Sequence, residues 1–193
     1  MNQQWHQLAT GEFFRWFGLT EVGRSRQTGG GLIISCKPGG FQEAIDLTFE
    51  ISANETVARA VLILNRAWME DPRTAPFAAD IAKSFLLTVT SAGSRAHLLA
   101  QQVEQLMIRS PGVISRAQAH EATDKGSDEA VRDALNALAG RRGRAELQDR
   151  DSVVLLENVS RDGQPRLHVI CATLTPRPAR WKRLLGAIKG DGL

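Results

Sequence analysis

Between the turn signals Pro38-Gly39-Gly40 and Ser52-Ala53-Asn54 lies a segment whose side chains alternate residue by residue. Phe41, Glu43, Ile45, Leu47, Phe49 and Ile51 share one parity; Gln42, Ala44, Asp46, Thr48 and Glu50 share the other. Apart from Glu43, the first set is apolar. A strand turns its side chains to opposite faces with period two, so this segment predicts a strand over 41–51 with one dry and one wet face. That is the pattern of an antiparallel strand with one wet face.

The neighbouring segments fit the same sheet. Residues 32–37 form a β-type run, and residues 57–65 a denser apolar run, giving a three-stranded meander over 31–66. The polar residues 20–27 before Gly29-Gly30-Gly31 suit a strand or a loop. Near the other end, runs at 153–158 and 166–174 flank Ser160-Arg161-Asp162-Gly163, and an Asp-Gly pair between β-rich runs is a strong hairpin signal.

Helical spacing fills the rest. Trp5, Leu8, Phe13, Phe14, Trp16 and Phe17 predict one or two short helices, broken at Gly11 and stopped at Gly18, with the aromatics anchoring a core. Asp71-Pro72 offers an N-cap followed by proline at the first helical position, ahead of Phe77, Ile81, Phe85 and Val89 on one face. Ser91-Ala92-Gly93-Ser94 breaks that helix before a second with Leu98, Leu99, Val103, Leu106 and Met107. An unbroken helix would reach about 50 Å at 1.5 Å per residue, too long for a chain of this size. Residues 109–126 read as an irregular connector. Ser127 is placed to cap a helix with Val131, Leu135 and Leu138 on one face, ended by Gly140. Residues 141–151, with Arg141, Arg142 and Arg144, read as a charged connector. Strands cluster and do not alternate with helices. The expected fold class is therefore α+β: an antiparallel β-meander plus C-terminal β-hairpin in one sheet, packed against several α-helices as a single domain over 1–193.

Residues 177–193 read as a basic amphipathic tail. Trp181, Leu184, Leu185 and Ile188 fall at i, i+3, i+4 and i+7, while Arg180, Lys182, Arg183 and Lys189 point elsewhere. These eight residues are the candidate partner-binding set, suited to a partner groove, an anionic membrane surface or nucleic acid. A weaker candidate is an anion site at Arg24, Arg26, Gly29 and Gly30, where glycine lets backbone N–H groups approach a phosphate. Both P-loop and dinucleotide motifs need a helix after the glycines, and here a strand follows.

A search for catalytic chemistry finds no motif. No G-x-S-x-G elbow marks a nucleophile. His120-Glu121-Ala122-Thr123-Asp124 resembles H-E-x-x-H with its last histidine replaced, which removes the second imidazole a zinc site needs. No metal or cofactor is expected. Cys36 and Cys171 lie far apart inside predicted strands, as two buried thiols would. With no basic and apolar leader at the N-terminus, they fit the cytoplasm. The hydrophobic share of 42% and charged share of 23% are ordinary for a globular protein, and no apolar run is long enough for a membrane span. The net charge of +3 falls short of a dedicated nucleic-acid binder.

The element order resembles the compact α/β-meander/α/β-hairpin/α arrangement of bacterial secretion chaperones. The likeness is one of arrangement: those proteins tend to be acidic and shorter, whereas this chain is basic and carries an extra helix. The expected function is a non-catalytic binding or adaptor protein, chaperone-like, engaging a protein partner or itself as a homodimer. The alternatives are an enzyme whose site gathers scattered wet-face residues (Asp46, Glu50, Arg59, His168) and a peripheral binder of anionic membrane or nucleic acid acting through the tail.

Overall fold

The computed structural model describes residues 3–28, 30–109 and 128–174. Within them the fold is α+β, with one open seven-stranded antiparallel sheet in the order β1-β2-β3-β4-β7-β6-β5. The strands are β1 (Thr20–Arg26), β2 (Leu32–Lys37), β3 (Ile45–Ile51), β4 (Val57–Asn65), β5 (Arg144–Gln148), β6 (Ser152–Arg161) and β7 (Gln164–Thr173). The helices are α1 (Trp5–Ala9), α2 (Glu12–Trp16), α3 (Arg66–Glu70), α4 (Ala75–Val89), α5 (Arg95–Arg109) and α6 (Glu129–Leu138).

The sheet is two meanders joined edge to edge. The first runs β1 to β4 by consecutive hairpins; the second runs β5 to β7. They meet where β4 lies antiparallel to β7, with Val61 opposite Ile170 and Ile63 opposite His168. Between them the described chain forms α3 to α6.

The period-two reading of the third strand holds. Ile45, Leu47, Phe49 and Ile51 are all at most 2% exposed. They join one core cluster with Ile34, Leu62, Leu64, Leu156, Leu167 and Val169 from the sheet and Ile81, Phe85, Leu99, Val103, Val131 and Leu135 from the helices. The N-terminal aromatics belong to it as well: Phe13 and Phe14 are buried, and Trp5 packs against Phe14 and Phe49 with ring centroids 5.6 and 5.3 Å apart. Both cysteines are free and buried in this layer.

Four boundaries differ from expectation. The strand begins at Ile45, not Phe41: residues 42–44 form a turn, and Phe41 sits at φ 57°. That left-handed conformation is costly for a bulky residue, and here Phe41 is held against Trp68 and Phe77, at centroid distances of 5.3 and 5.2 Å. Asp71 does not cap the long helix. Asn65 caps α3 instead, its Oδ1 accepting from the Trp68 N–H at 3.3 Å, and α4 starts at Ala75 with Pro76 in its first turn. The last described helix is capped by Asp128, whose side chain accepts from the Ala130 N–H at 3.0 Å, so the cap falls one residue beyond Ser127. Finally, the connector at 141–151 contains β5, an edge strand in which only Ala145 and Leu147 are buried. The hairpin turn is as expected, with Asp162 and Gly163 at φ 53° and 74°, both positive as a type I′ turn requires. The expected connector at 109–126 lies outside the described residues beyond Arg109.

Candidate functional site

The helices cover one face of the sheet. The register fixes what stands on the other. One row across it reads Ser35, Thr48, Val61, Ile170, Leu155, Glu146, each directly opposite the next. The row on one side reads Asp46, Ile63, His168, Glu157, Arg144; the row on the other reads Ile33, Glu50, Arg59, Ala172, Val153, Gln148. The centre of this face is apolar over three adjacent strands: Val61 and Ile63 on β4, Ile170 and Ala172 on β7, Val153 and Leu155 on β6.

These residues are partly exposed. None belongs to the core cluster or packs against it. Three strands at about 4.8 Å spacing make the apolar band about 10 Å wide.

Charges surround the band and neutralise one another. Arg59 and Glu50 stand directly opposite across β3 and β4 and meet at 3.0 Å. Lys37 reaches Asp46 at 2.7 Å, and Arg166 reaches its other oxygen at 4.0 Å. Arg144 lies 3.7 Å from Glu157, its register partner, and 4.0 Å from Glu146. Opposite charges facing each other across a pair of strands support the sheet modestly. An apolar centre inside a paired polar rim is also the anatomy of a protein interface.

The sheet thus brings Asp46, Glu50, Arg59 and His168 to one face, but not to one point. Ile63 separates Asp46 from His168, and both carboxylates already hold basic partners. The four do not converge as catalytic groups sharing a substrate must.

The anion candidates sit at the far corner. Arg24 donates from Nε and Nη2 to the two carboxylate oxygens of Glu21 at 2.7 and 2.6 Å, which holds the Glu21 carboxyl below its usual value. Gly30, at φ 89°, gives its N–H to the Gln27 carbonyl at 3.2 Å within the β1–β2 turn. Arg26 stands on the fully exposed β1, and Gly29 lies outside the described residues. The tail set, Arg180, Trp181, Lys182, Arg183, Leu184, Leu185, Ile188 and Lys189, also lies outside them, as does the His120–Asp124 motif.

Among the described residues there is no group of three or more His, Cys, Asp or Glu placed to hold a metal ion, and no helix is long and apolar enough to cross a membrane. The class these features define is an α+β protein with one sheet face packed by helices and, among the described residues, the other left open. No protein-family model, curated protein or solved structure matches the chain.

The open face was only partly legible beforehand. A signal was there: residues 61–63, 153–156 and 169–172 are unbroken apolar runs, and an unbroken run puts apolar groups on both faces of a strand. What the sequence does not show is that the run at 61–63 lies beside the hairpin that carries the other two.

Proposed function

We propose that this protein is a non-catalytic binding module that holds the apolar surface of a protein partner on the open face of its sheet. The observation supporting this is the band of Val61, Ile63, Leu155 and Ile170, partly exposed and ringed by charges that already satisfy one another. A rim of paired charges adds little attraction of its own. It discourages unspecific sticking, and desolvating the apolar centre supplies the driving force. Burial of two free thiols suits a reducing compartment, which supports a cytoplasmic setting.

The test is photo-crosslinking inside producing cells. Benzoylphenylalanine replaces Ile170 or Leu155 on the face, and Val22 on exposed β1 serves as control. Discrete adducts at the two face positions, absent at Val22, are expected. An adduct of twice the chain mass identifies the partner as a second copy. No adduct, or the same ladder at all three positions, overturns the proposal.

A further inference from the structure

We propose that the partner on the open sheet face is a second copy of this chain, packed sheet to sheet about a two-fold axis that runs along β7. The inference rests on the reading of that face as a binding surface, and it names the occupant.

Three observations support it. The first is charge. The ion pairs of this face set Lys37, Arg59, Arg144 and Arg166 against Asp46, Glu50, Glu146 and Glu157, four of each sign, although the chain as a whole stands at +3. In a two-fold interface one patch meets itself, so any excess charge is set against its own kind. A balanced face avoids that repulsion. An anionic membrane or a nucleic acid needs an excess of basic groups, which these ion pairs do not leave.

The second is pattern. Aligned sheets pack with their strands within about 30° of one another. Two axes in the plane of the interface give that alignment, one along the strands and one across them. An axis along β7 keeps every residue at its own level and exchanges the flanks, because β4 and β6 lie on either side of β7, with β3 and β5 next beyond. Ile170 then meets its own counterpart, Val61 meets the second copy's Leu155, and Asp46 meets the second copy's Arg144. Apolar groups oppose apolar groups, and a carboxylate opposes a guanidinium. Glu157 falls opposite the second copy's Ile63 but keeps Arg144 of its own chain beside it at 3.7 Å. An axis across the strands at the level of Ile170 instead sets each strand over its counterpart and exchanges the levels. Asp46 then meets the second copy's Glu50, like against like. The charges therefore choose the axis along β7.

The third is area. About that axis the five strands β3, β4, β7, β6 and β5 overlap with those of the second copy. At about 4.8 Å per strand and about 6.8 Å per side-chain row, three rows cover roughly 500 Å² in plan on each copy. Side-chain relief makes the accessible area larger than the plan area. Two copies therefore bury more than about 1,000 Å² together, the size a specific interface must clear. The apolar band lies at the centre of that area, where desolvation is complete, and the paired charges lie at its rim.

The experiment is analytical ultracentrifugation of the full chain from about 1 to 100 μM, a range that spans ordinary dimer affinities. A dimer is expected. Ile170→Asp should shift it to monomer while the circular dichroism spectrum is unchanged; Val61→Lys is the second variant, in case the first perturbs folding. Val22→Asp on exposed β1 is the control and should leave the dimer intact. Asp46→Arg sets like charges across the axis and should raise the dissociation constant at least about tenfold. Adding Arg144→Asp to the same chain reverses both members of the pair and should restore most of the affinity. Monomer at every concentration overturns the inference. So does a dimer that both face variants leave intact, since it is held elsewhere, and so does a double reversal no tighter than Asp46→Arg alone. Adducts of foreign mass at Ile170 in cells, with a monomer in the centrifuge, leave the binding module standing and remove only the second copy. Monomer in the centrifuge with no adduct in cells removes both.

Discussion

Asn158 on β6 accepts hydrogen bonds from two nitrogens of Arg66, the first residue of α3, with Nε at 2.7 Å. Arg66 is 6% exposed. Its Nη1 donates to the Leu138 carbonyl at 2.5 Å and its Nη2 to the Ala137 carbonyl at 2.6 Å. Asn158 returns the favour through Nδ2, which donates to the carbonyls of Ala137 at 2.8 Å and Arg142 at 2.7 Å. One guanidinium thus closes the C-terminal end of α6, where carbonyls have no helical partner and positive charge is favoured. It does so from the end of the first meander, joining it to the second.

Removing that guanidinium should be expensive. Burial lowers the Arg66 pKa, with Glu70 opposing, yet a guanidinium stays charged at any working pH. Arg66→Leu strands several buried acceptors, each costing about 1–3 kcal/mol. A total loss of about 2–4 kcal/mol is expected in urea unfolding. Arg66→Lys should recover only part of it, because an ammonium cannot reproduce the planar fork. A double-mutant cycle with Asn158→Ala should show coupling of about 0.5–3 kcal/mol.

The two faces of the sheet should respond differently to the same kind of change. Leu47 is 1% exposed within the core, so Leu47→Ala should cost roughly 2–5 kcal/mol. Ile170→Ala, on the open face, should cost less than half as much. Equal costs would mean that something packs on the open face as tightly as the helices pack on the other.

That contrast also separates what sequence makes visible from what it hides. Ile45 to Ile51 reads as a strand because each residue's environment is set by its parity alone. β5 does not: Arg144, Glu146 and Gln148 face solvent, and only Ala145 and Leu147 mark the buried side, too little apolar signal to stand out from a charged loop. The start of α4 was obscured because Asp71 and Pro72 form a turn between two helices, where Arg73 donates to the Asp71 carboxylate at 2.8 Å, and not a cap. The open face is hidden for a different reason. Leu155 and Ile170 adjoin through the legible β6–β7 hairpin, but Val61 joins them only because β4 pairs with β7, with 108 residues between Val61 and Ile170, and that pairing leaves no local trace.

Thiol chemistry gives a third check. Burial pushes the Cys36 thiol up to about 11, with Glu21 adding to it, and burial raises Cys171 further. Thiolate is the reactive form, so both should be inert in the native state. Ellman's reagent at pH 8 should report no fast-reacting thiol in folded protein and two after denaturation. A rapid native reaction of one equivalent would place Cys36 or Cys171 outside the core.

The last prediction concerns acid. Arg95 at the start of α5 donates from Nε to the Asp128 carboxylate at 2.5 Å and from Nη1 to the Gln148 carbonyl at 2.8 Å, while its backbone N–H reaches Asp149 at 3.1 Å. Three elements, α5, α6 and the end of β5, are tied at this point. The Arg95 hydrogen bond is the main cause that lowers the Asp128 pKa, and the Ala130 N–H adds to it. A carboxyl with a depressed folded-state pKa contributes stability that is fully present above its unfolded value, about 3.9, and is lost as pH falls through the folded one. Asp128→Ala should therefore cost about 0.5–2 kcal/mol at pH 7 as a lost helix cap. Asp128→Asn keeps an accepting oxygen for the cap but loses the ion pair. Melting temperatures of wild type and Asp128→Asn should differ at pH 6 and converge as the pH drops below about 3.9. A difference that stays constant down to pH 2 would show that the Asp128 charge contributes nothing to holding α5, α6 and β5 together.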